Sequence, residues 1–172
     1  GGSAPPVVHA LMNAAEARGH ALLGDSRACA AALARAERAF EGCKPGDEVP
    51  SWARFFDEAQ LADEFAHCYR DLEQYRAAVH HAERSLRLRS AAYARSRVFC
   101  RTVLAVCRLG LGEVEQACAL GTEALNLAVE MRSVRALEYL RDFWRRLEPY
   151  RESAAARAFH ERAVAAGLAA RP

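Results

Sequence analysis

Isoleucine is absent from all 172 residues and threonine occurs only twice, whereas alanine occurs 38 times. Sheets draw mainly on β-branched and aromatic side chains, and helices on alanine and unbranched ones. This chain therefore has little material for a sheet and much for helices. Its length suits one domain, and 52% apolar residues are enough to fill a core.

Charge narrows the options further. The 24 basic residues nearly balance 22 acidic ones, leaving a net charge of +2. That argues against a strongly basic DNA-binding surface and against an acidic disordered tail, while leaving room for a local basic stripe. Of the basic residues 23 are arginine, with Lys44 the one lysine. Arginine and alanine codons are GC-rich, which points to a high-GC bacterial genome. No apolar run reaches the roughly 18–20 residues of a membrane span, and no signal-peptide pattern is visible, so a cytoplasmic location without membrane contact is the expectation. Gly1-Gly2-Ser3-Ala4 reads as a linker end or expression scar, with one domain over residues 5–172.

Cysteines stand at 29, 43, 68, 100, 107 and 118. None forms C-x-x-C or lies at zinc-finger spacing from a histidine, so no metal site is expected. Five of them, all but Cys43, lie on apolar or small-residue faces of helical patterns and are expected to act as buried free thiols.

Punctuation divides the chain into eight helices. Pro5-Pro6 opens the first, which runs to about Leu23, and a turn at Gly24-Asp25-Ser26 leads into the second, over Ser26 to Glu41. Two prolines and two glycines between 42 and 50 forbid a continuous helix there. Ser51 is expected to cap a third helix through Leu72. The fourth covers Tyr75 to Leu88 and the fifth about Ala91 to Leu109. The sixth covers Glu113 to Glu130, the seventh follows Ser133 and stops before Pro149, and the eighth runs from about Tyr150 to Ala166. Short connections make sequential helices pack antiparallel.

The pairs resemble one another. Leu72-Glu73-Gln74-Tyr75-Arg76-Ala77-Ala78-Val79 matches Leu111-Gly112-Glu113-Val114-Glu115-Gln116-Ala117-Cys118, and Leu23-Gly24-Asp25 opens the same pattern earlier. Ala62, Phe65, Ala66 and Tyr69, then Ala78, Ala82 and Ser85, fit the small and large positions of the tetratricopeptide repeat; so do Ala117, Gly121 and Ala124. The repeat's proline is missing, and the anchors Cys29, Ala78 and Ala117 are spaced by 49 and 39 residues instead of 34. The fold expected is all-α, a tetratricopeptide-like right-handed superhelix of about four antiparallel helix pairs.

A wider resemblance rests on Ala21-Leu22-Leu23-Gly24-Asp25, Pro50-Ser51-Trp52, Phe56-Asp57-Glu58-Ala59-Gln60-Leu61, Glu123-Ala124-Leu125 and the stretch from Arg135-Ala136-Leu137 to Pro149-Tyr150. Together these resemble the C-terminal repeat region of actinobacterial, Streptomyces-type regulators with an XRE-type helix-turn-helix. The resemblance implies a sensory or regulatory domain that meets DNA only through a helix-turn-helix domain not in this sequence.

No enzyme constellation is present: no G-x-S-x-G, P-loop, G-x-G-x-x-G or H-E-x-x-H. No cofactor is expected. Asp63 and His67, four apart, suit an exposed ion pair better than a metal site. The third helix carries Trp52, Phe55, Phe56, Ala59, Ala62, Ala66 and Tyr69 on an apolar side. By register, Asp57, Gln60, Asp63, Glu64, His67, Arg70 and Asp71 line its other side and face the groove of a repeat array. That face suits either a basic peptide or amine, or plain solvation. Arg97, Arg101 and Arg108 recur on the fifth helix, suited to an anionic effector or to pairing with acids of the third. Phe143, Trp144 and Phe159 are expected as core plugs, and Ala155, Ala158, Phe159 and Ala163 as the cover of the stack's end. The function expected is binding of a peptide, small-molecule effector or protein, with a homodimer among the arrangements left open. The alternative is a docking scaffold on a larger signalling ATPase or other multi-domain protein.

Overall fold

The structure, a computed structural model, describes residues 4–168. These contain eight α-helices and no strand. They are α1 (Pro6–Leu22), α2 (Ser26–Glu41), α3 (Glu58–Asp71), α4 (Tyr75–Leu88), α5 (Ala94–Gly110), α6 (Val114–Glu130), α7 (Val134–Arg146) and α8 (Ala154–Ala165). Short 3-10 turns occupy Ser51–Ala53 and Glu148–Tyr150. The all-helical expectation holds, and the bounds of α2 and α4 match the sequence reading. The reading of residues 1–3 as a linker end lies outside the described residues.

The chain forms two compact units, residues 1–88 and 89–172. Each has its own core. In the first unit, α1 pairs with α2 and α3 with α4, and α1 also lies against α3. Its centre is Ala10, Ala14 and Ala17 of α1 against Cys29, Leu33 and Ala36 of α2 and Phe65 and Cys68 of α3. Alanine at the crossings lets the helix axes approach closely. Ser85 of α4, fully buried, donates its hydroxyl to the Ala59 carbonyl at 2.8 Å and ties α4 to α3.

In the second unit α5 pairs with α6, while α7 packs on α5 and α6, and α8 on α6. Here the centre holds Val98, Leu125, Leu140, Phe143 and Phe159. The backbones of α7 and α8 come less close to each other than those of the other hairpins. Bulky rings stand between them: Phe143 and Phe159 meet edge to face at 5.1 Å, and both press on Gly121 of α6.

The turns of the first three hairpins share one backbone design. Gly24, Glu73 and Gly112 each adopt positive φ (75°, 58° and 79°) just after a leucine that ends the helix. In each turn the left-handed residue donates to the carbonyl three residues back, and the next residue donates to the carbonyl five back (Asp25 to His20, Gln74 to Tyr69, Glu113 to Arg108, at 2.8–3.0 Å). This is the Schellman arrangement, which satisfies the last carbonyls of a helix. The sequence likeness of Leu23-Gly24, Leu72-Glu73 and Leu111-Gly112 is thus a likeness of conformation. Arg132, at φ 50°, repeats it between α6 and α7.

Three expectations fail. Ser51 does not cap α3. The 3-10 turn ends at Ala53, and the helix begins only at Glu58, capped by Asp57, whose carboxylate accepts the Gln60 amide hydrogen at 2.8 Å. Trp52 and Phe55 therefore leave the apolar side of α3 and stand 60% and 57% exposed, whereas Phe56, Ala59, Ala62 and Ala66 are buried as expected. At the chain's end, Ser153 caps α8 at Ala154, and Ala156 rather than Ala158 joins Phe159 and Ala163 in the core. The later start rotates the register, because a side-chain carboxylate or hydroxyl three residues before a free amide fixes where a helix begins.

Five of the six cysteines are buried, and Cys43 is half-buried. Burial pushes the Cys29 and Cys68 thiols up from the usual thiol range. Burial pushes Cys118 up to about 11. Since the thiolate is the reactive form, a thiol reagent under native conditions is expected to label one cysteine per chain, at Cys43. Labelling of all six is expected only in denaturant; fast native labelling of Cys68, read by peptide mass, would contradict the packing.

Candidate functional site

The charged face of α3 becomes an ordered network. Arg18, half-buried on α1, donates to Glu64 at 3.1 Å and lies 4.0 Å from Asp71. Arg70 grips the same Asp71 with two nitrogens, at 2.9 and 2.6 Å, and the Gln60 amide donates to Glu64 at 2.9 Å. Asp63 and His67 sit on one face, 3.9 Å apart, but are 6% and 5% exposed. The expectation of an exposed Asp63–His67 pair is thus corrected: both are core-facing. Polar groups buried this deeply cost free energy unless other polar groups meet them. Asp57 serves as the cap of α3 and is committed to its own backbone.

Arg18 had no signal in the sequence. It lies in an alanine-rich helix with no motif around it, and only the packing of α1 on α3 brings it to Glu64 and Asp71. Of the seven predicted residues of this face, the network joins Gln60, Glu64, Arg70 and Asp71. It leaves Asp63 and His67 below the surface and Asp57 at the helix start.

The arginines of α5 are held within their own unit. Arg101 lies 3.3 Å from Glu123 of α6, and Arg108 donates to Glu113 at 2.7 Å. Arg97 donates to the carbonyl of Arg89 at 2.8 Å. The guanidiniums thus fasten α5 to what precedes and follows it. Among the described residues no group of three histidines, cysteines or acids is placed to hold a metal ion, and no helix is long and apolar enough to cross a membrane.

Two cavities accompany these faces. In the first unit, a space of about 230 Å³ opens among α2, α3 and α4, bordered by Glu37, Glu41, Glu58, Phe40, Phe65 and His81. Arg84 closes one side through a 2.7 Å bond to Glu58. His81 packs against the rings of Phe65 (4.8 Å) and Tyr69 (5.4 Å), which also touch each other at 6.2 Å. Burial, then the charges of His80 and Arg84, lower its pKa to about 4, so it is neutral at pH 7. His80 beside it is exposed and meets it edge to face, with ring centroids 5.3 Å apart and planes at 84°. In the second unit a larger space, about 360 Å³, opens between α7 and α8. Trp144 stands at its edge, half-buried, and not in the core where Phe143 and Phe159 lie.

No family model, no curated protein and no solved structure matches this chain.

Proposed function

We propose that the chain is a ligand- or protein-binding sensory module of a bacterial transcriptional regulator, with a tetratricopeptide-like architecture. The observation that carries this reading is the single hairpin turn design used at Gly24, Glu73 and Gly112. A supersecondary unit repeated along a chain builds extended recognition surface. The network of Arg18, Gln60, Glu64, Arg70 and Asp71 supports a recognition role, because pre-ordered charges lose little entropy on meeting a partner. Its two arginines and two carboxylates balance, so the face offers charges of both signs and the Gln60 amide to a peptide or small-molecule partner.

The mechanism is a shift of population. A partner bound to one arrangement of the helices favours that arrangement and changes how attached DNA-binding domains are spaced. The test is DNA binding by the full-length protein with and without Glu64→Lys and Arg70→Glu, each half-buried in the network, with circular dichroism of each variant confirming that it is folded. A change of about tenfold in DNA affinity or in its response to effector is expected, which is about 1.4 kcal/mol. An unchanged response overturns the reading. A Walker motif in the reading frame upstream of residue 5, in place of a helix-turn-helix, would instead favour a docking scaffold on an ATPase.

A further inference from the structure

The space between α7 and α8 has the makings of a small-molecule site, and it does not depend on the function proposed above. At about 360 Å³ it lies in the range of small-ligand pockets. Its origin is the splayed hairpin. The Phe143 and Phe159 rings hold α7 and α8 apart at the core side, and the 3-10 turn Glu148–Tyr150 lengthens the connection between them.

One wall is aromatic and flat. The Trp144 indole and the His160 imidazole lie with planes 24° apart and centroids 5.8 Å apart, joined by a 3.0 Å hydrogen bond from indole Nε1 to imidazole Nδ1. The indole nitrogen can only donate, so Nδ1 accepts and the imidazole hydrogen sits on Nε2. His160 therefore offers a fixed donor, and the two rings form one extended surface. Leu147 and Ala156 supply an apolar floor.

The charges of the rim divide into spent and unspent. Arg151 is neutralised by Glu148 at 2.9 Å and Glu152 at 3.4 Å, which also raise its pKa. Arg157 is anchored on the uncharged carbonyl of Glu152, so its position is set while its charge is not cancelled. Glu161 lies one helical turn further along α8 on the same rim. One cation and one anion about a turn apart, above a flat aromatic wall, match a zwitterion carrying an aromatic ring.

We propose that this cavity binds a free aromatic amino acid, or a molecule of the same chemistry. The ring lies along Trp144 and His160, the carboxylate meets Arg157 and the His160 Nε2–H, and the ammonium meets Glu161.

Trp144 is the natural reporter. With Trp52→Phe it becomes the sole tryptophan, since the chain has two. The probes are phenylalanine, 3-phenylpropanoate, which lacks the ammonium, and phenethylamine, which lacks the carboxylate. Phenylalanine is expected to change Trp144 emission saturably, and each truncated probe to bind about tenfold more weakly. Arg157→Gln is expected to weaken phenylalanine about tenfold without affecting phenethylamine, and Glu161→Gln to weaken phenylalanine without affecting 3-phenylpropanoate. Both residues are exposed, so neither variant threatens folding. The proposal is overturned if phenylalanine gives no saturable change, if 3-phenylpropanoate or phenethylamine binds as tightly, or if both variants bind like the parent.

Discussion

Phe143→Ala is expected to lower the unfolding free energy of the second unit by about 3–5 kcal/mol, the cost of emptying a fully buried phenyl site. The site cannot collapse easily, because Phe143 lies against Phe159 and on Gly121. The reverse change at the same contact is also unfavourable. A Cβ on Gly121 would collide with Phe143 Cε1 and stand 3.1 Å from Phe159 Cε2, and both rings are enclosed. Gly121→Ala should therefore cost about 1–3 kcal/mol from overpacking, reduced by about 1 kcal/mol of helix propensity gained. Phe143→Leu in the Gly121→Ala background should recover part of the loss, since the smaller side chain vacates the space the new methyl needs. Urea unfolding followed by Trp144 emission in a Trp52→Phe background reads these three and Phe143→Leu alone. Strictly additive effects of the two changes would mean that the close approach is not what limits this core.

The second large effect is a pH dependence in the first unit. His81 is neutral in the folded chain and titrates near pH 4, against 6.5 for an ordinary histidine. The unfolded chain takes up a proton below pH 6.5 that the folded chain refuses. Stability contributed by the neutral imidazole is thus full above pH 6.5, falls as pH drops towards 4, and changes little below that. The loss across this window is about 2–3 kcal/mol after allowing for partial solvent contact. Glu37, Glu41 and Glu58 border the same cavity, so the comparison must be between proteins. His81→Phe, which keeps a ring against Phe65 and Tyr69, is expected to flatten the denaturant midpoint between pH 6.5 and 4.5 relative to the parent. Equal slopes for the two proteins, by circular dichroism, would place the sensitivity elsewhere.

Much of the architecture is legible in the sequence because it depends on local chemistry. The want of isoleucine and threonine excludes a sheet. The turns at Gly24, Glu73 and Gly112 announce themselves through the leucine before them and the polar residue after. Competition between caps is harder to read. Ser51 follows a proline and looks like a helix start, but Asp57 has the free Gln60 amide within reach and wins, turning Trp52 and Phe55 outward. The face of α3 is legible as a set of charges, whereas its order is not. Arg18 joins it through the packing of α1, and Asp63 and His67 sink below the surface through contacts that no spacing within α3 encodes. The cavity at Trp144 depends on how far two helices splay, a quantity set by Phe143, Phe159 and Gly121 together.

The shared turn has a bearing on how such a chain grows. Its shape comes from main-chain hydrogen bonds and accepts Gly, Glu or Arg at the left-handed position, at roughly 1–2 kcal/mol where a side chain is present. A gene segment encoding one helix pair therefore carries its own corner, and duplication copies the corner with the pair. Each added pair brings its inner turn with it, whereas an insertion inside a helix would rotate every later side chain off its neighbour.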